Sequence, residues 1–167
     1  ACALADRTAA ANGLTDRLIT LSCDLRDRRQ LPSAGRFDLA VSNPPYFPAG
    51  GGKTAAGSRG IHRAEVTCTM EQLCAAAAYL LRSGGQFCLV YRTERLAELM
   101  ETLRRHRLEP KVLRFVQKNA ASAPSLLLMA CRKDGGTGLA VQPPLLLQND
   151  DGTETPELRR IYFKEKG

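Results

Sequence analysis

The sequence predicts an α/β fold, a mostly parallel sheet with one antiparallel strand late in the chain. Short apolar, β-rich runs alternate with stretches of helical periodicity along much of its length. Runs separated by helices are joined by crossovers, and crossovers place strands parallel. The last two runs, residues 111–117 and 125–132, have only "KNAASAP" between them, too short for a crossover helix. They are expected to form an antiparallel hairpin at the sheet edge.

Each element has its own local reason. "ACALADRTAAANG" reads as the body of a helix closed by Asn12-Gly13. "RLITLSCDL" (17–25) and "RFDLAVSN" (36–43) are β-rich runs predicted as strands. A helix is expected over about 67–82, with Met70, Leu73, Cys74, Ala77, Leu80 and Leu81 along one face. Thr69 with Gln72 resembles a capping box, and Gly84-Gly85 is expected to close the helix. "QFCLVY" (86–91) reads as a buried strand. A second helix, about 94–107, turns Leu96, Leu99, Met100 and Leu103 inward and carries Arg104, Arg105 and Arg107 near its end. The tail reads as two short extended segments, a turn at Asp150-Asp151-Gly152, and a short helix capped by Thr155 with Pro156 first.

Length and composition narrow the class. The 167 residues suffice for one domain with a core, and no apolar stretch approaches a membrane span. No secretory signal is visible. A net charge of +7 favours a polyanionic partner without naming one. Six cysteines, at 2, 23, 68, 74, 88 and 131, include no CxxC pair, and most sit among apolar neighbours. They read as small buried hydrophobes, with neither a metal site nor a disulfide framework expected.

The chemistry concentrates at "VSNPPYFPAGGGKT" (41–54), where an apolar strand runs into Asn43, Pro44, Pro45 and Tyr46. Ligands of open α/β sheets sit outside the carboxyl ends of the strands, which is where Asn43 falls. The two prolines carry no N–H, which removes two donors from the loop and leaves their carbonyls as acceptors. Pro45 also holds Pro44 extended, which fixes where its carbonyl points. With the Asn43 side chain this makes two fixed acceptors, suited to an –NH2 group, and Tyr46 offers a face for a planar ring. The plain alternative is a stiff loop with Tyr46 packed. The following "GGGKT" is not a phosphate loop, because Phe47 stands where the Walker pattern needs glycine and no strand feeds it. Lys53, Arg59 and Arg63 make it a basic rim or an ordinary surface loop.

"FDLAVSNPPYF" resembles the fourth motif of class I S-adenosylmethionine-dependent methyltransferases that modify planar amino groups. Within that class the chain resembles the bacterial enzymes that methylate adenine N6 in valine tRNA beside the anticodon. "RAEVTCTMEQL", "SGGQFCLVYRTERLAELMETLRRHRLEPK" and "PPLLLQNDDGTETPELRRIY" carry the likeness in the same order, over nearly the whole chain. The resemblance implies a Rossmann-like fold, here one methyltransferase domain over 1–167 forming the carboxyl-terminal part of that fold. It implies S-adenosylmethionine as cofactor, tRNA as partner and a cytoplasmic enzyme. Asn43 and the Pro44 carbonyl would hold the amino group, with Pro45 shaping the loop and Tyr46 stacking on the extruded adenine. Asp24 would bind the cofactor's adenine amino group with Leu25 beside the ring, although a solvated turn aspartate is the alternative. Asn43 also borders that cofactor. Lys53, Arg59, Arg63 and Lys118 would contact RNA phosphates. Asp38, just inside its strand, is expected to be structural.

Two departures stand out. Where the family has Arg-His-Glu, this chain has Arg63-Ala64-Glu65, so no role for that histidine carries over. No glycine-rich turn of the GxGxxG kind occurs within the 167 residues. In family terms the first strands are missing, and the chain is expected to be part of a longer polypeptide or to need a second one. Alone it would bind S-adenosylmethionine weakly or not at all. Two other functions stay open: a glutamine methyltransferase acting on a protein release factor, and a non-catalytic basic RNA-binding remnant.

Overall fold

Apolar side chains alternate along the strands of one mixed sheet, and the alternation decides which face is covered. The computed structural model describes residues 2–44 and 68–164. In chain order these form α1 (Cys2–Ala11), β1 (Phe37–Ser42), α2 (Met70–Leu80), β2 (Leu81–Arg92), α3 (Leu96–Arg105), β3 (Leu108–Gln117), β4 (Leu126–Lys133), β5 (Ala140–Leu146) and α4 (Pro156–Ile161). The strand order is β1-β2-β4-β3-β5. β1 pairs parallel with β2 and β3 with β5, while β4 runs against both of its neighbours.

Only β4 opposes the common strand direction, as the sequence predicts, but its place differs. The hairpin partner lies between β2 and β3, not at the edge, so β2 and β3 share a direction without touching. Burial explains the choice. Inserted there, β4 sets Leu127, Met129 and Cys131 level with Tyr91, Leu89 and Phe87 of β2. All six are buried in one core that α2 and α3 cover with Met70, Cys74, Ala77, Leu99 and Leu103. Each fully buried large side chain contributes roughly 1.5–3 kcal/mol relative to exposure.

The helices follow their periodicity. α2 begins at a capping box: Thr69 Oγ1 accepts from the Gln72 N–H at 3.2 Å, and Gln72 Oε1 accepts from the Thr69 N–H at 2.9 Å. α3 turns Leu99 and Leu103 fully inward, with Leu96 and Met100 against the same core. α4 starts as expected, with Thr155 capping Leu158 and Pro156 in the first turn.

Two expectations fail. Residues 17–25 form no strand, because β propensity alone makes no ladder without a partner to pair with. Among the described residues none pairs with them: Ile19 is 84% exposed, and the buried Thr20 hydroxyl has no hydrogen-bond partner. Gly84-Gly85 does not close α2 either, since the helix ends at Leu80 and runs directly into β2. The glycines instead lie where the β1–β2 register slips, between the pairs Phe37–Leu81 and Leu39–Gln86. A Cβ on Gly85 would lie 2.9 Å from the Arg82 carbonyl oxygen and 3.2 Å from that of Phe37. Backbone crowding therefore selects glycine there.

The tail's two extended segments are β5 and a single bridge, Gln148 to Glu154. Pro143 and Pro144 fit in β5 because it is an edge strand. All six cysteines are free, with Cys74 and Cys131 buried and the other four partly so. Burial pushes the Cys74 thiol up to about 12 and that of Cys131 higher still. No helix among the described residues is long and apolar enough to cross a membrane.

Candidate active site

Asn43 and Pro44 follow directly on β1, at the carboxyl end of the commonly directed strands. A groove of about 580 Å³ opens beside Asn43 and crosses the sheet face opposite α2 and α3. Its floor is the alternate set of side chains, Val41, Cys88, Ala130 and Val112 in one register row. Ser42 and Asn43 form a polar mouth on one side, and Arg114 and Gln142 mark the other. Such a floor accepts flat or apolar groups, and the rims supply hydrogen bonds.

Arg114 was not singled out in the sequence. Its guanidinium forms a two-pronged pair with Glu157 of α4, both contacts at 2.7 Å, and donates to the Pro143 carbonyl at 2.9 Å. The pair holds the Glu157 carboxyl below its ordinary range. It ties α4 to the groove and fixes the rim that faces Asn43. The sequence signal was an arginine on the polar phase of an apolar strand, "KVLRFVQ", and that signal does not name the partner.

Asp24 and Leu25 lie elsewhere, on a turn outside the sheet. The Asp24 carboxylate accepts from the Arg26 side chain at 2.6–3.0 Å and from the Arg26 N–H at 2.9 Å. These bonds hold its pKa down to about 2, so it is an ionised acceptor. The turn sits near the start of α2, where the Asp24 and Arg26 charges act on the Cys68 thiol. It continues along α2, with the Arg28 guanidinium 5.3 Å from the centre of the Tyr79 ring. Neither Asp24 nor Leu25 lines the groove. Asp38 pairs with Arg82 across β1 and β2, a structural use.

Lys118 is exposed just past β3, at the same sheet end as Asn43, and its carbonyl accepts from the Gln148 N–H at 2.8 Å. Asn43, Pro44 and Lys118 thus share one end of the sheet. Pro45, Tyr46, Lys53, Arg59 and Arg63 lie outside the described residues. Among the described residues no group of three or more His, Cys, Asp or Glu side chains converges as a metal site would require.

No protein-family model matches the chain. Curated relatives do match. The tRNA1(Val) (adenine(37)-N6)-methyltransferase of Porphyromonas gingivalis W83 is 31% identical over 165 residues, covering 96% of this chain and 63% of that protein. The protein of the same name from Serratia proteamaculans is 30% identical over 131 residues, 77% of this chain and 48% of its own. The chain therefore spans less than two thirds of the length of these relatives. Among solved structures, a predicted O-methyltransferase from Agrobacterium tumefaciens superposes with a TM-score of 0.75 at 17% identity, covering 96% of this chain and 71% of that one. Geranyl diphosphate C-methyltransferase from Streptomyces coelicolor A3(2) gives 0.53 at 11% identity, over 79% and 60% of the two chains. At such identities the likeness is one of fold. The chain has the Rossmann-like α/β fold of the methyltransferases, and along nearly its whole length it is similar in sequence to the tRNA1(Val) (adenine(37)-N6)-methyltransferases.

Proposed function

We propose that residues 1–167 belong to a single domain of a cytoplasmic methyltransferase that modifies the N6 amino group of adenine in tRNA, with S-adenosylmethionine as methyl donor. One observation carries the reading: an apolar strand delivers Asn43 and Pro44 to the carboxyl end of the sheet, at the mouth of a groove. The names of the curated relatives support the substrate, and the +7 charge suits a polyanion.

The chain's own residues would orient the acceptor. The Asn43 side-chain carbonyl and the Pro44 carbonyl accept from the two N–H bonds of the target amino group, which holds the nitrogen lone pair in one direction. Tyr46 stacks on the adenine, and extrusion costs little from a single-stranded loop. Asp24, an ionised acceptor with the half-exposed Leu25 beside it, suits the adenine end of the cofactor once Arg26 yields one carboxylate oxygen. No GxGxxG pattern to hold its methionine and ribose occurs in these 167 residues, so the fit proposed extends to the adenine end alone. When bound, S-adenosylmethionine supplies an electrophilic sulfonium methyl, so the protein's contribution is orientation and electrostatics.

The test uses the full-length enzyme. Asn43→Ala is expected to lower single-turnover methylation at least about 10²-fold with RNA affinity little changed, since one orienting interaction is worth a few kcal/mol of barrier. Near-parental methylation by the variant would sink the assignment. A glutamine peptide outcompeting tRNA as acceptor would replace the substrate, and a parent protein with no methylation would leave the RNA-binding remnant.

A further inference from the structure

The end of α4 carries an aromatic pair that the core does not use. Tyr162 is 65% exposed and Phe163 92% exposed. The helix closes with paired end bonds, the Phe163 N–H to the Arg160 carbonyl at 3.1 Å and the Lys164 N–H to the Arg159 carbonyl at 2.8 Å. This closure puts Phe163 at φ +53°, a position where glycine is the usual occupant and a bulky side chain is strained. A strained, almost fully exposed phenylalanine does nothing for the fold that glycine would not do better.

Cations surround the pair. Arg159 and Arg160 are exposed and form no ion pair within 4 Å among the described residues, although the Arg160 charge is near enough to help hold the Glu157 carboxyl ionised. The Lys164 ammonium lies 5.7 Å from the Tyr162 ring centre and 2.6 Å from Glu154. Glu157, the acid nearest in sequence to the two arginines, is taken by Arg114. An uncharged apolar partner would leave this surplus of positive charge uncompensated. A nucleic acid strand would satisfy it while offering a π-face at every base.

The position fits as well. The Leu147 N–H reaches the Gln117 carbonyl, and the Thr155 hydroxyl the Leu146 carbonyl, so α4 starts just beyond the carboxyl ends of β3 and β5. β1, β3 and β5 share one direction, so Asn43 lies at that same end. Three to four strand spacings, roughly 14–19 Å, separate Asn43 from the start of α4. The aromatic pair follows at the far end of that six-residue helix, about 9 Å along its axis, so an RNA strand of several nucleotides is needed to reach both.

We propose that Tyr162 and Phe163, flanked by Arg159, Arg160 and Lys164, form a stacking platform for single-stranded RNA beside the target adenine. The inference rests on the function proposed above. Its probe is a fluorescein-labelled stem–loop RNA with an unpaired adenine, titrated into the full-length enzyme and read by anisotropy. Phe163→Gly is expected to keep or raise the melting temperature, because it relieves the backbone, and yet to weaken RNA binding about 10-fold or more. Phe163→Tyr restores binding, and the loss appears in KM for RNA while kcat is kept. Arg159→Gln with Arg160→Gln should flatten the salt dependence of log K by about 0.7 units per arginine. Parental RNA affinity in Phe163→Gly overturns the platform, as does lost self-association in sedimentation with RNA affinity intact, which would mark a protein contact. A parent enzyme that fails to methylate the RNA overturns the proposed function instead; one that methylates it while Phe163→Gly binds normally overturns the platform alone.

Discussion

Gly85 sits at the register slip at the start of β1, and Gly85→Ala tests most directly whether backbone crowding selects glycine there. The added methyl would meet the Arg82 carbonyl oxygen at 2.9 Å, the Phe37 carbonyl oxygen at 3.2 Å and Leu81 Cδ2 at 3.2 Å. Two of the three contacts are backbone, and Leu81 is fully buried, so no side chain can swing clear. Overpacking of this kind costs about 1–3 kcal/mol. The lost freedom of the unfolded chain returns about 0.4–1 kcal/mol for any Gly→Ala change. Gly136→Ala is the matched control, because a Cβ there meets nothing within 4 Å and the residue is not among the positive-φ glycines. The control should be neutral or stabilised by up to about 1 kcal/mol, so the two variants should differ by about 1–3 kcal/mol. Urea unfolding of the full-length protein reads this as midpoints about 1 M apart with equal slopes. The shift should also move β1 against β2 and displace Asn43, lowering turnover in Gly85→Ala and not in Gly136→Ala. Coincident midpoints would refute the argument that backbone crowding selects this glycine.

Two further outcomes follow from local geometry. Thr69→Ala removes half of the α2 capping box and should cost about 1 kcal/mol in the same assay, with Thr69→Ser recovering most of it. The pair of Arg114 with Glu157 lowers the Glu157 pKa, so its contribution is present above the ordinary glutamate value of 4.5 and is lost as pH falls through the lowered folded value. The midpoint difference between parent and Glu157→Gln should therefore be clear at pH 7 and vanish in acid; a difference that persists at pH 2–3 would contradict it.

The fold was legible wherever one residue pattern had one physical solution. The 3.6-residue spacing of Leu96, Leu99, Met100 and Leu103 admits one helix face, and that face is the buried one. "KNAASAP" is too short for anything but a reversal, so the β3–β4 hairpin was readable, while the side of β3 on which β4 lies was not. That choice depends on which neighbour lets Leu127, Met129 and Cys131 reach the core, a property of the assembled sheet. Gly84-Gly85 misled for a related reason. Glycine serves a helix end and a register slip alike, and only the approach of the Phe37 carbonyl tells them apart. Residues 17–25 have strand-forming composition and no strand, since a ladder belongs to two segments and composition describes one.

The same division runs through the site. The placement of Asn43 and Pro44 at the carboxyl end of β1 was readable from the apolar run before them. The chemistry proposed for them is local: an amide and a ring-locked carbonyl on adjacent residues define two acceptors before any fold is known. The opposite rim was not readable, because Arg114 and Glu157 are 43 residues apart and meet only when β3 and β5 pair and α4 folds back over their ends. That rim is built by the tail, one of the stretches that carry the likeness to the tRNA1(Val) (adenine(37)-N6)-methyltransferases. The sheet is shared in fold with methyltransferases of other kinds, whereas among the described residues α4 adds the exposed Tyr162 and Phe163 with their arginines beyond the end of the sheet where Asn43 lies. On the proposed platform, changes in this short helix should alter which RNA is bound before they alter how fast a bound adenine reacts.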